Sequence, residues 1–132
     1  YLKGKVKDLA TPLGLQDVVP VKAPKWSLNG LVSKTFDVGD YQLDLQYDFD
    51  YQSANKANLV SSPITRLPAS WMQNARVSFG REEYGWQFYG FVRNLANTNR
   101  KTFAYDNAGF VGIAIASYAP PRTYGVGFRK TF

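Results

Sequence analysis

The sequence predicts an antiparallel all-β fold whose strands form part of the wall of a membrane-spanning barrel. Three observations carry that expectation. Period-two alternation of apolar and polar residues recurs in five segments, while helical periodicity is almost absent. The connections between those segments alternate short, long, short, long. Aromatic residues, 16% of the chain, gather at the ends of the segments.

In chain order, "YLKGKVKDL" (1–9) reads as the tail of a sixth strand. Residues 25–36 place Trp26, Leu28, Gly30, Val32 and Phe36 on one face, with Leu31 and Lys34 breaking the alternation. "DVGD" (37–40) has hairpin-turn chemistry. Residues 41–51, "YQLDLQYDFDY", alternate without an error. Residues 71–80 set Trp71, Ala75, Val77 and Phe79 against Asn74, Arg76 and Ser78. "REEYG" (81–85) is a second tight turn. Residues 86–94 set Trp86, Phe88, Gly90 and Val92 against Gln87, Tyr89, Phe91 and Arg93. Residues 123–132 put Tyr124, Val126, Phe128 and Phe132 on the apolar side. The long connections are 52–70 and 95–122.

Length agrees with a membrane span. Eleven residues of strand at about 3.3 Å each reach roughly 36 Å, and a tilt near 45° leaves about 25 Å of height, the apolar band of an outer-membrane barrel. Phe36, Tyr41, Phe79 and Trp86 flank the tight turns, while Trp26, Tyr51 and Trp71 lie at the opposite ends. Two aromatic bands bracketing an aliphatic middle are the girdles of two membrane interfaces. A soluble one-sided sheet also alternates, so a small soluble β-barrel holding an apolar ligand is the alternative. Solubility without detergent separates the two.

Composition narrows the chemistry. The 132 residues suit one domain. With no cysteine there is no disulfide scaffold and no thiolate, and with no histidine the usual general base is missing. The only glutamates, Glu82 and Glu83, are adjacent in a turn. Catalysis is not expected, nor is a metal site or a cofactor. The net charge of +6 is spread along the chain rather than clustered, which argues against a nucleic-acid module.

Three stretches carry a family resemblance: "APKWSLNGLVSKTF" (23–36), "ASWMQNARVSFGREEYGWQFYGFVRNLANTN" (69–99) and "PPRTYGVGFRKTF" (120–132). In this order and spacing they resemble the C-terminal part of a TonB-dependent outer-membrane receptor. Asn97 and Lys130 depart from that pattern: the family usually has Asp at the first and an outward apolar residue at the second. The resemblance implies the last five to six strands of a 22-stranded barrel, with the plug domain absent from this chain. It implies a Gram-negative outer-membrane location and TonB-energised uptake of a ferric siderophore or another large, scarce solute. The partners it implies are the remaining barrel strands and plug, the TonB complex acting through the plug, outer-membrane lipid and the barrel assembly machinery. An open strand edge in lipid leaves N–H and C=O groups unpaired, so the segment is expected to be a fragment of a larger protein.

On this reading the tight turns face the periplasm. The long connections, with much of 8–23, face outside. Leu43, Leu45, Val77, Phe88, Val92, Val126 and Phe128 meet lipid. Gln42, Asp44, Asp48, Asp50, Asn74, Arg76, Arg93, Arg129 and Thr131 face the lumen, where acids and arginines on neighbouring strands can pair. The ligand-binding candidates at the mouth and in the loops are Asp48, Asp50, Arg93, Asn97, Asn99, Arg100, Lys101, Tyr105, Asp106, Tyr118 and Arg122. Tyr124, Val126, Phe128 and Phe132 form the outward pattern resembling a barrel-assembly signal. The apolar stretch 109–119 is open between folding inward on a plug, extending the last strand and contacting another subunit.

Overall fold

The computed structural model describes residues 1–11, 14–59, 62–81 and 85–131. Its strands are antiparallel, and its contacts divide the chain into two compact units. One unit comprises Asn29–Asp50, Trp71–Thr98 and the segment from Pro120 on; the other comprises Tyr1–Leu28, Tyr51–Ser70 and Asn99–Ala119.

The first unit is built on a five-stranded sheet of β3 (Ser27–Val38), β4 (Tyr41–Gln52), β7 (Ser70–Arg81), β8 (Trp86–Arg93) and β11 (Thr123–Lys130). Their order is β11-β8-β7-β4-β3, an up-and-down meander. These are the five segments whose alternation marks them as strands. Gly39, at φ +63°, lets a two-residue turn join β3 to β4. Gly85, at φ +59°, leads into β8, and its carbonyl accepts from the Thr131 N–H at 2.6 Å. The rest of the second turn, residues 82–84, lies outside the described residues. Strand β8 stops at Arg93 because Asn94 takes φ +53°, a left-handed conformation that asparagine tolerates better than most residues.

Register is unbroken across β7, β8 and β11. Phe79, Phe88 and Phe128 form one cross-strand row, Val77, Gly90 and Val126 the next, and Ala75, Val92 and Tyr124 a third. On the opposite face the rows are Ser78–Tyr89–Gly127, Arg76–Phe91–Gly125 and Asn74–Arg93–Thr123. Strands β3 and β11 are the sheet's edges among the described residues, so the sheet is open rather than closed.

The second unit holds three small pairings: β1 (Val6–Thr11) with β2 (Gly14–Val18), β5 (Asn55–Lys56) with β6 (Arg66–Leu67), and β9 (Lys101–Asn107) with β10 (Ile113–Tyr118). A one-turn helix, α1 (Ala108–Val111), joins β9 to β10 and ends on Gly112 at φ +70°. The buried hydrophobic side chains of this unit, among the described residues, are Ala57, Leu67 and Ala104. The long connections are therefore not structureless.

The expected sixth strand is corrected. Residues 6–18 fold back on themselves as a separate hairpin and do not extend the five-stranded sheet. Gly14, at φ +95°, opens β2 opposite Thr11, and Asp17 locks the two arms. Its carboxylate accepts the Asp8 N–H at 3.3 Å and meets Lys5 Nζ at 2.6 Å. These partners, the Lys5 hydrogen bond first, hold the Asp17 carboxyl below its ordinary range. The stretch 109–119 does not extend β11 either, since residues 113–118 pair with β9.

Candidate functional site

The five-stranded sheet has two chemically opposite faces. On the first, rings collect at both ends. Near the tight turns, Tyr41 stacks on Phe79 at 5.2 Å, Trp86 meets Phe88 edge-on at 5.5 Å, and Phe88 meets Phe128 at 4.8 Å. At the far end Phe49 stacks on Trp71 at 5.3 Å with planes 11° apart. Between the two groups lies a shallow trough of about 890 Å³, lined chiefly by Val32, Leu45, Ala75, Val77, Gly90 and Val126. Trough and rings are open to the surroundings: Val126 is 90% exposed, Tyr124 81% and Phe128 55%. Among the described residues the buried hydrophobic side chains are only Ala57, Leu67 and Ala104. A chain that is 45% hydrophobic thus leaves many of its large apolar side chains exposed.

The second face is polar and internally bonded. Asp44 accepts from Thr35 Oγ1 at 2.7 Å and from Ser78 Oγ at 3.3 Å. Asp48 Oδ2 accepts from Asn74 Nδ2 at 2.6 Å, and Asn74 Oδ1 accepts from the Asn94 N–H at 3.0 Å. The expected pairing of arginines with acids is not what Arg76 and Arg93 do. Arg76 lies over the Tyr89 ring at 4.4 Å and Arg93 over the Phe91 ring at 5.4 Å. Both rings lean across β11. A Cβ on Gly127 would meet Tyr89 at 2.5 Å, and one on Gly125 would meet Phe91 at 2.9 Å. The two glycines are seats for rings on the polar face. The motif "YGVG" held that signal, but it is legible only once the β8–β11 register is known.

The candidates at the sheet's mouth belong to a built turn. Asp48 and Arg93 flank Asn74, one by hydrogen bond and the other as its register partner. Asn94 is 2% exposed: its amide donates to the carbonyls of Thr98 and Pro120, both at 3.1 Å, and its Oδ1 accepts the Thr98 N–H at 2.8 Å. Asn97 Oδ1 accepts the Arg122 N–H at 3.0 Å. Asn97 thereby fastens the entry to β11, and Arg122 lends it a backbone group. Asp50 is half-buried in β4.

The loop candidates divide along the β9–β10 hairpin. At its base, Lys101 is the register partner of Tyr118, the Arg100 carbonyl accepts from the Ala119 N–H at 2.8 Å, and Lys101 Nζ donates to the Ile64 carbonyl at 3.1 Å. Asn99 is exposed just before this base. Toward the tip, Tyr105 is exposed opposite Ile115. The Ser62 side chain and the Ala108 N–H, which donates to Asp106 Oδ1 at 3.1 Å, hold the Asp106 carboxyl below its ordinary range. Of the assembly-signal residues, Tyr124, Val126 and Phe128 stand on the apolar face. Phe132 lies outside the described residues.

One charged cluster escaped the sequence reading. Lys25, Lys56 and Arg66 line a cavity of about 520 Å³ in the second unit. No local pattern gathers them, because they come from segments up to 41 residues apart (66 − 25 = 41).

No protein-family model matches the chain, and neither the curated proteins nor the solved structures give a match.

Proposed function

We propose that this chain is barrel wall and outer loops of an outer-membrane receptor that imports a large, scarce solute such as a ferric siderophore. Energy would arrive from the periplasmic side through a plug and the TonB complex, and the plug and the remaining strands (about sixteen of the family's count) belong to the rest of the receptor. One observation carries the reading. The outward row through Val77, Phe88, Val126 and Phe128 is exposed, while the row behind it is hydrogen-bonded and polar. In water so large an apolar patch is a liability; in a bilayer it is the required surface. The two ring groups at the trough's ends match the two interfaces of a membrane. The ordered motifs from 23 to 132 add support for this receptor class.

On this reading Lys34 and Lys130, which share the apolar face, lie near the periplasmic ends of their strands, where long stems reach the interface. Lys34 Nζ sits 5.7 Å from the Phe36 ring. The open edges at β3 and β11 are where further strands would pair, because lipid supplies no partner for their N–H and C=O groups.

These 132 residues contain no cysteine, so an introduced thiol is unique among them. Single cysteines replace Val126 or Phe88 on one face, and Gln42 or Thr123 on the other, in the full-length protein in membranes of cells that produce it. A membrane-impermeant maleimide, applied with the pore accessible, should label the second pair and spare the first. Equal labelling of both pairs, or recovery of the protein in the soluble fraction, refutes the membrane reading. Loss of energy-dependent uptake when the energising complex is removed tests the transport half separately.

A further inference from the structure

We propose that the outer edge of β10 pairs with β10 of a second copy of this chain, antiparallel about a two-fold axis at Ile115, so that two β9–β10 hairpins join into one four-stranded sheet. The proposal stands on the second unit alone and does not rest on the transport reading. The hairpin is a two-stranded sheet, and among the described residues no further strand pairs with β10. All six residues of β10 are exposed. An open edge offers a row of N–H and C=O groups to any strand that can reach it, and proteins guard such edges with charged side chains or proline. This chain follows that rule at its other edges. Strand β3 carries Lys34 and Asp37, β11 carries Arg129 and Lys130, and the β1–β2 hairpin carries Lys7, Asp8 and Asp17. Strand β10, Ile-Ala-Ile-Ala-Ser-Tyr, is the only described strand of five or more residues with no charged residue, and it holds neither proline nor glycine. The far side of the hairpin is guarded, since β9 carries Lys101 and Asp106. Addition at β10 therefore closes at two copies instead of running on.

The faces of the hairpin also call for more strands. Register partners share a face, so Phe103, Tyr105, Ile113 and Ile115 stand together on one side, all of them exposed. On the other side Ala104 is buried with Ala57 and Leu67. A two-stranded ribbon is marginal in water, and further strands that continue its apolar face stabilise it. Register then selects a second copy as the occupant. The β10 ladder is regular from Ile113 to Ser117 and shifts before Tyr118, and Pro120 and Pro121 follow. The flat edge is centred on Ile115. Antiparallel pairing with its own copy overlaps fully only with Ile115 opposite Ile115, Ala114 opposite Ala116 and Ile113 opposite Ser117. That register runs the two exposed apolar faces into one and sets no like charges opposite each other. Between Lys101 and Arg122 the only charged residue is Asp106, so the net charge of +6 lies outside the stretch that meets its copy.

The test starts in cells that make the full-length protein, without detergent. Ile115→Cys is introduced with any cysteine elsewhere in the protein replaced by serine. Opposite Cβ atoms in a ladder lie about 4.5–5.5 Å apart, within reach of a short bifunctional maleimide. Ile115→Cys should give a cross-linked dimer on a denaturing gel, and Leu15→Cys, exposed on the β1–β2 hairpin, should give about ten-fold less. The purified protein in neutral detergent, sized by light scattering, should be a dimer. Ile115→Lys alone and Ile115→Glu alone set like charges at the axis, and each should weaken self-association by about ten-fold or more. Mixed in equal amounts they should dimerise again, because lysine then faces glutamate. Phe110→Lys, on the exposed tip but off the edge, should remain dimeric. If the charged variants fail to fold, the comparison of Ile115→Cys with Leu15→Cys decides alone. Equal cross-linking at the two positions, a monomeric wild type, or two folded charge variants that stay apart when mixed overturns the proposal. So does a monomer whose Ile115→Cys is shielded from maleimide, which assigns the edge to another part of the same protein.

Discussion

Replacing Gly127 by alanine tests whether the polar face is organised by rings seated on glycines. The new Cβ would stand 2.5 Å from both Cζ and Oη of Tyr89. Ordinary carbon contacts lie at about 3.5–4.0 Å, so the ring must retreat by about 1 Å or more. The Arg76 guanidinium lies 4.4 Å from that ring's centroid, so retreat disturbs this contact as well. Overpacking of this kind costs about 1–3 kcal/mol, and the cation–ring contact accounts for about 0.5–1 kcal/mol of it at a partly exposed position. Against this, alanine in a strand is favoured over glycine by about 0.5–1 kcal/mol. The net expectation is a loss of about 0.5–2 kcal/mol. The sign should reverse once Tyr89 is alanine, because the clash is gone and only the backbone advantage remains. Urea unfolding midpoints for wild type, Gly127→Ala, Tyr89→Ala and the double variant close the cycle. If Gly127→Ala raises the midpoint equally in both backgrounds, Tyr89 does not rest on Gly127 and the seating argument fails.

Three further outcomes follow from the same geometry. Asn94→Ala removes three side-chain hydrogen bonds worth about 1 kcal/mol each and leaves alanine at φ +53°, at a further cost of about 1 kcal/mol. Its urea midpoint should fall by the equivalent of about 3–4 kcal/mol, and Asn94→Gly should recover the backbone part alone. Val77→Lys puts a charge at mid-strand on the apolar face and should cost about 2–4 kcal/mol in phosphatidylcholine vesicles; a negligible cost would mean that this face does not meet lipid. The Asp106 carboxyl, lowered from 3.8 by the Ser62 side chain and the Ala108 N–H, binds its proton less readily folded than unfolded. Its contribution is therefore present above 3.8 and lost as the pH falls through the lower folded value. Hydrogen exchange at the Ala108 amide should speed up over that acidic window, and Asp106→Asn should abolish the change.

The sheet was legible because alternation is a local property. The reading of 41–51 as a strand needed only the order of its side chains, and the structure runs β4 from Tyr41 to Gln52. The pairings inside the long connections were not legible, for two reasons. A ladder of two residues, Asn55–Lys56 on Arg66–Leu67, is shorter than any period. The β9–β10 hairpin needs Ile113 to find Asn107 across a one-turn helix capped by Gly112, and neither partner declares the other in sequence. The candidate residues fared similarly. Asn97 and Asp48 stood among the ligand candidates on the strength of polarity and place alone, and the bonds of their side chains to the Arg122 N–H and to Asn74 are set by partners distant in sequence. Lys56 and Arg66 attracted no notice because ten residues separate them (66 − 56 = 10) and only the ladder brings them face to face.

The form of the apolar face bears on what covers it. A protein partner packs to interior density only by presenting a ridge that matches the trough over Gly90 and Ala75, with no polar atom in it. Acyl chains are fluid and fill a trough of any shape. They also tolerate the mixed heights found here, where Trp86 and Phe128 stand proud of Gly90 on the same face. Filling the trough with Gly90→Leu therefore separates the two kinds of cover. Against a rigid partner it would force strain or dissociation at about 1–3 kcal/mol. Against lipid it adds apolar area to a surface that moulds around it, so the variant should unfold in vesicles at a urea concentration no lower than that of wild type. A midpoint lowered by the amount expected of overpacking would point to a protein surface on this face and remove the main support for a membrane wall.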